Sequence, residues 1–289
     1  MQISLGAIWG MSSLFSWGVG DYLARIYSTK VGSLRTAFYI RFISIFLPLT
    51  IFPVQAYLGQ LYNPTDWTVV LKLGPILGLV LALAAVAYYR GLETGTVSIV
   101  VAVTSAWFAV GAILAFILLG QGLSIQQASI IGVIAIGIIM LSGLQTSTKS
   151  KSTGFLYGLA SMFFLGTATL LFKYLGEASG SIMTSFVGSL GSIIVLWIWL
   201  RISGFRVVLP KREGIQVLMG AGLLEAGGVL SMIIGLSQAP IFIVAPLSAA
   251  HPIVTMSLAL IFLKERLSRV QSVGVMLTVL GVIALSANG

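Results

Sequence analysis

There is no cysteine among the 289 residues. Disulfides, thiolate metal sites, thiol nucleophiles and iron–sulfur clusters are thereby excluded. Histidine is nearly as scarce: His251 stands alone, so a metal centre built from several histidines cannot form, and no metal or cofactor site is expected. Charge is also short. Only 8% of the residues are charged and 58% are hydrophobic, whereas an ordinary soluble domain carries about 25% charged residues. A chain this apolar cannot keep its surface in water, so its solvent is lipid. Acids are the scarcer sign, seven against sixteen Lys and Arg, for a net charge of +9. In a soluble protein such basicity would point to nucleic acid. Here the bases sit in short gaps between apolar runs, which is the pattern of membrane topology, and no nucleic-acid partner is expected. The chain also lacks a Gly-x-x-x-x-Gly-Lys-Ser/Thr loop, so it is not expected to hydrolyse ATP. Met1 to Ser4 carry no basic run, so the first apolar segment is expected to stay as a membrane helix rather than be cleaved as a signal.

What the sequence has in abundance is apolar runs of spanning length. A helix needs about 20 apolar residues to cross the hydrocarbon. Ten such runs are read: Ile3–Tyr22, Leu34–Pro53, Val69–Tyr89, Thr96–Leu119, Gln127–Leu144, Gly154–Lys173, Ile182–Leu200, Ile215–Leu236, Ile241–Leu263 and Gln271–Ala287. They are expected to be helices because unpaired backbone groups are too costly in lipid, and no period-two alternation suggests a barrel.

The two halves of the chain repeat one another. Gly6, Gly10, Ser13, Phe15, Gly18 and Leu23 recur as Gly154, Gly158, Ser161, Phe163, Gly166 and Leu171, and Gly32, Ser33, Thr36 and Phe38 as Gly180, Ser181, Thr184 and Phe186, all at an offset of 148. Further on the offset is 144. Gly91, Ile99, Ala106, Val110, Leu114, Leu123, Ser124, Gln127 and Gly137 match Gly235, Ile243, Ala250, Val254, Leu258, Leu267, Ser268, Gln271 and Gly281. The expected organisation is a five-helix unit over 1–145, a polar connection over 146–153, and a second five-helix unit over 154–289. An odd number of helices per unit inverts the second copy. The charges agree: the odd-numbered connections hold Arg25, Lys30, Arg35, Arg90, Lys149, Lys151, Arg201, Arg206, Lys211, Arg212, Lys264, Arg266 and Arg269, and the even ones only Lys72 and Lys173. By the positive-inside rule the odd connections are cytoplasmic and both termini lie outside.

The run Ala245-Pro-Leu-Ser-Ala-Ala-His-Pro-Ile-Val-Thr-Met, followed by Phe262-Leu-Lys-Glu-Arg-Leu-Ser and the Gly-rich stretch from Gly274 to Leu285, resembles the EamA repeat of the drug/metabolite transporter superfamily. The first half carries a worn version, Phe116-Ile-Leu-Leu-Gly-Gln-Gly-Leu-Ser, without the proline and without the Glu-Arg pair. The opening Trp17-Gly-Val-Gly-Asp-Tyr-Leu-Ala-Arg is similar to the first helix of such proteins. The resemblance implies ten helices, a central cavity open to one side at a time, and a substrate among amino acids, sugars, nucleotide sugars, amines or drugs.

Ionisable groups inside a bilayer are costly and so need a reason. Glu225 sits mid-span among small residues, in Gly-Ala-Gly-Leu-Leu-Glu-Ala-Gly-Gly. A carboxyl there has the chemistry to bind a cationic solute or to carry a proton; the structural alternative is a partner for a buried donor such as Arg41. His251 lies mid-span beside Pro252, with Pro246 shortly before. These prolines mark a helix break, and the histidine is a candidate for solute binding or proton transfer against the plainer reading of a packed neutral ring. Its repeat mate is Trp107, expected on a related wall of one cavity. Asp21 and Arg41 fall near the cytoplasmic ends of the first two helices, as an ion pair or as gate residues. Trp17 and Tyr88 are candidates to stack on a solute; interface anchoring is the alternative. Gly6/Gly10, Gly154/Gly158 and Gly74/Gly78 have the small-xxx-small spacing of close helix contacts.

The expected function is a secondary transporter of a small metabolite in the cytoplasmic membrane, working as a monomer or homodimer and open to proton coupling. A sugar or nucleotide-sugar exchanger of the same fold is the alternative. A channel would need a filter or charge ring, and an enzyme a clustered set of acids and bases; neither pattern is present.

Overall fold

A computed structural model describes residues 5–31, 33–57, 66–94, 103–120, 122, 124–141, 151–204, 212–263 and 269–287. Its helices are α1 (Leu5–Val31), α2 (Ser33–Ser44), α3 (Phe46–Tyr57), α4 (Trp67–Thr94), α5 (Trp107–Leu119), α6 (Ile125–Leu141), α7 (Lys151–Ile202), α8 (Arg212–Gln238), α9 (Ile241–Ala249), α10 (Pro252–Leu263) and α11 (Arg269–Ala287). No strand occurs among the described residues. The second expected span is divided between α2 and α3, and the ninth between α9 and α10. The sixth and seventh fall in one element, α7, whose two stretches meet at Gly180. There φ is +76° and ψ 159°, a region open essentially to glycine alone, and it is here that the chain changes direction.

Four segments are long and apolar enough to cross a membrane: Leu34–Val54, Trp67–Tyr88, Leu156–Ile202 and Gly214–Gln238. Val103–Leu119, Ile125–Gly137, Ile241–Thr255 and Ser272–Gly281 are shorter apolar helices. Large apolar side chains cover the outside, among them Phe15, Phe42, Phe46, Phe116, Ile117, Trp197 and Trp199. In water such a surface would be an aggregation patch; in lipid it is the expected one.

Local chemistry sets several ends. The Asp66 carboxylate accepts from the Thr68 amide at 2.7 Å, caps α4, and is held by that bond below the usual carboxylate range. Ser124 and Gln127 form a reciprocal capping box at the start of α6: the Gln127 amide donates to Ser124 Oγ at 3.1 Å and the Ser124 amide to Gln127 Oε1 at 3.1 Å. Gly120 closes α5 in the left-handed conformation, its amide donating to the Ala115 carbonyl. Lys173, expected in a connection, instead lies within α7, where its ammonium donates to the Leu236 carbonyl at 2.8 Å in the last turn of α8. It also pairs with Glu177 one turn on, and the cation complements the negative end of α8.

Packing follows the repeat. The main seams join α4 to α7, α1 to α8, and α6 to α11, so helices of one half lie against helices of the other. Gly18 is pressed against Val254 and the His251 carbonyl, while its mate Gly166 is pressed against Val110 and the Trp107 carbonyl. Val254 is the mate of Val110 and His251 of Trp107. Gly78 meets Gly191, and its mate Gly222 meets Ile43. The small-residue spacing at Gly74/Gly78 serves the α4/α7 seam, and that at Gly6/Gly10 brings α1 onto Ala239 and Leu247.

Candidate functional site

Pro252 supplies no N–H, so the Ser248 carbonyl four residues earlier loses its helical donor. The His251 ring fills part of that gap. Its Nδ1 lies 3.1 Å from the Ser248 carbonyl oxygen, and since a carbonyl only accepts, Nδ1 carries the proton there. The ring is thereby turned so that Nε2 faces α1, where Asp21 Oδ2 stands at 3.2 Å. The break between α9 and α10 is thus what aims the histidine. Thr255 fastens the start of α10 to the same helix, its hydroxyl donating to the Gly18 carbonyl at 2.9 Å.

Arg41 and Glu225 form the second pair. Arg41 Nη1 meets Glu225 Oε1 at 2.8 Å, with side chains 13% and 20% exposed. The bond ties α2 to α8. Asp21 and Arg41, candidates for an ion pair or a gate, each bind a group of the other half, Asp21 with His251 and Arg41 with Glu225. Arg41 is the donor named as the structural alternative for Glu225.

Arg41, Glu225 and the Asp21 carboxylate share one space, with His251 behind Asp21. Gly20, Asp21, Ala24, Ala37, Ile40, Arg41, Ala85, Ala221 and Glu225 line a cavity of about 50 Å³. Small residues make the room and charged ones line it. A water needs about 10–15 Å³ on this measure, so the cavity holds a few waters and not a metabolite.

Aromatic rings stand beside them. Trp17 lies edge-on to Trp107, centroids 6.2 Å apart, and edge-on to His251 at 5.8 Å. Trp17 therefore stands between the two repeat mates. Trp107 is buried and Trp17 half-buried. Tyr88 does not line the cavity; it is half-buried on α4, three residues beyond Ala85. Pro246 lies inside α9 and Pro252 opens α10. Among the described residues no group of three or more His, Asp or Glu is placed to hold a metal. Glu265, between Lys264 and Arg266, lies outside the described residues.

Sequence reasoning gave the six residues Trp17, Asp21, Arg41, Trp107, Glu225 and His251 separately; the fold brings them together. The sequence offered Arg41 for Glu225 but not Asp21 for His251, nor the small residues Gly20, Ala37, Ala85 and Ala221 that make the space. Their signal was present in the alanine- and glycine-rich runs around Glu225, but such runs also serve plain helix packing.

Comparison with known proteins agrees with this architecture. Residues 4–143 and 152–287 each match the model of the EamA-like transporter family. An uncharacterized protein of Methanocaldococcus jannaschii is 28% identical over 136 residues, which is 47% of this chain and 98% of that protein. That relative is about as long as one of the two matched segments. A solved crystal structure superimposes with a TM-score of 0.81 at 15% identity, covering 99% of this chain and 97% of the other, a likeness of fold. The chain is a two-repeat, multi-pass member of the EamA-like transporter family, and with it a membrane transporter of the drug/metabolite type whose partners are a small solute and the lipid around it.

Proposed function

We propose that the protein is a secondary transporter that moves a small amine-bearing or cationic solute across the cytoplasmic membrane by alternating access, in exchange for a proton. The Asp21–His251 contact, set beside the Arg41–Glu225 pair, carries this reading. A 3.2 Å approach of an imidazole nitrogen to a carboxylate oxygen is a hydrogen bond only when a proton sits on one of the two. Nδ1 is already engaged with Ser248. So the contact stores one removable proton.

The charge balance then follows. Arg41 and Glu225 cancel. With the proton present, Asp21 and His251 also sum to zero. With it gone, one negative charge remains uncompensated within an apolar span, a costly state. A positive group on the solute restores neutrality as well as the proton does, and Trp17 and Trp107 beside it suit a cation. Proton and solute therefore compete for one vacancy of charge, which is the condition for exchange. Neutral sugars answer neither need.

Two halves packed across one another supply the motion: each can take the shape of the other, opening the space to one side and then to the opposite side. The bases of the odd connections place both termini outside.

The test is uptake of labelled amines, amino acids and sugars into liposomes holding the purified protein. An inside-acid gradient is expected to speed uptake of the amine by about tenfold or more. Uptake of a neutral sugar, indifferent to the gradient, would overturn the reading.

A further inference from the structure

The repeat gives some buried hydroxyls in one half a hydroxyl counterpart in the other, and at two such pairs the counterparts behave differently. On α7 the Ser161 hydroxyl donates to the Ala84 carbonyl at 3.1 Å. Ahead of α5 the Thr104 hydroxyl donates to the Gly158 carbonyl in a longer bond of 3.4 Å. All are buried. The mate of Ser161 is Ser13 on α1, and the mate of Thr104 is Ser248 on α9. Both are fully buried, with 0% exposure, and the hydroxyl of each has no hydrogen-bond partner. The indole N–H of Trp17 is buried without a partner too.

These three atoms lie where α1 meets α8 and α9. Ser13 and Trp17 are four residues apart and share a face of α1. Gly10, one turn earlier on that helix, touches Leu247. Trp17 packs against the His251 ring, whose Nδ1 binds the Ser248 carbonyl. The indole nitrogen lies against Gly228 of α8, the mate of Ala84. Ser185 and Ser192 on α7 are also unpartnered, but among the described residues no hydrogen bond, ion pair or ring contact ties them to this seam. A buried polar group left unpaired is costly, and three around α1, where the hydroxyl counterparts in the other half are satisfied, call for a ligand.

We propose that Ser13, Trp17 Nε1 and Ser248 form a hydrogen-donor subsite for an oxygen acceptor, a carboxylate or carbonyl, on the transported solute. The inference rests on the reading that Asp21 and His251 receive the solute's cation. Indole N–H donates only, and both hydroxyls can donate, so an acceptor is the matching chemistry. Spacing then sets the solute's length. At 1.5 Å per residue, Trp17 stands about 6 Å and Ser13 about 12 Å from Asp21 along α1. A compact α-amino acid, with its charges adjacent, does not bridge these positions. An elongated solute does, with an amine at one end and an oxygen group several carbons away. These contacts are shut in this arrangement, so the donors meet the solute when α1 moves off α8 and α9.

The test compares 6-aminohexanoate, hexylamine and glycine by the thermal shift each gives to the full chain in detergent. 6-Aminohexanoate is expected to shift the wild type more than hexylamine or glycine. Ser13→Ala with Ser248→Ala should weaken 6-aminohexanoate by about tenfold per lost bond and leave hexylamine unchanged. Without ligand, Ser13→Ala should be as stable as the wild type or more so, while Ser161→Ala should be less stable. If Ser13→Ala is destabilised as much as Ser161→Ala, the hydroxyl is structural and the subsite is overturned. If hexylamine matches 6-aminohexanoate and both depend only on Asp21, the subsite fails and the proposed function stands. If neither amine shifts the wild type, both fail together.

Discussion

Arg41 of α2 and Glu225 of α8 meet at 2.8 Å, each mostly buried, and the bond joins the first half of the molecule to the second. Removing one partner of such a pair leaves a lone charge in a dry site and costs about 3–5 kcal/mol. Glu225→Ala and Arg41→Ala should therefore express poorly and unfold at lower temperature. Glu225→Gln, which keeps shape and a hydrogen bond to Arg41, should fold yet transport at least about tenfold more slowly. Normal transport by Glu225→Gln, with unchanged dependence on pH, would show that the carboxylate serves structure alone.

His251 and Asp21 give a second expectation. Their contact holds a proton that the solute must replace, so transport should depend on pH over about pH 5–8, where imidazoles ordinarily titrate. Uptake of an amine should fall as the solution on its side is acidified, because the proton competes for the same charge. His251→Gln removes the exchangeable proton and should flatten that profile while leaving the chain folded. Asp21 is 45% exposed and His251 17%, so Asp21→Asn should disturb stability less than the Arg41 and Glu225 changes. Arg41 and Glu225 also face this pair, and neither should restore the profile when His251 is gone. A His251→Gln protein that keeps the wild-type profile would move the proton elsewhere.

Much of this was legible in the chain. Apolar runs, the offsets of 148 and 144 and the odd placement of bases indicated a helical membrane protein of two repeats before any contact was known. The candidate residues were found because ionisable groups are rare in apolar spans. Arg41 was named as a partner for Glu225, but the partner of His251 was not. Asp21 and His251 are 230 positions apart in sequence, and only the crossing of α1 over the α9/α10 break brings them together. The unpaired state of Ser13 was equally hidden: in sequence it is the matching partner of Ser161, and the difference exists only in hydrogen bonds. Nor does composition reveal that the sixth and seventh spans join at one residue.

That residue is Gly180. Its φ of +76° with ψ of 159° lies where a side chain costs about 1–3 kcal/mol. Gly180→Ala should lower the midpoint of thermal unfolding by several degrees, on the order of 2–8 °C per kcal/mol in small soluble domains. Gly132 is the control, since a methyl group there meets nothing within 4 Å; Gly132→Ala should be neutral. Equal stability of the two variants would mean that the turn between the halves of α7 does not need glycine.

The absence of cysteine makes the last expectation simple to test. A single introduced thiol is the only one in the chain, so its labelling by a membrane-impermeant maleimide reports one position alone. The bases of the odd connections lead to the expectation that both termini lie outside. Asn288→Cys should then be labelled in intact cells. Lys149→Cys, in the connection between the repeats, should be labelled only after the membrane is opened. Five spans are read from the sequence between these two positions, an odd number, and opposite labelling is what an inverted second copy demands. Labelling of both from the outside would require an even number, and the two halves would then run parallel, without the exchange of shapes on which alternating access depends.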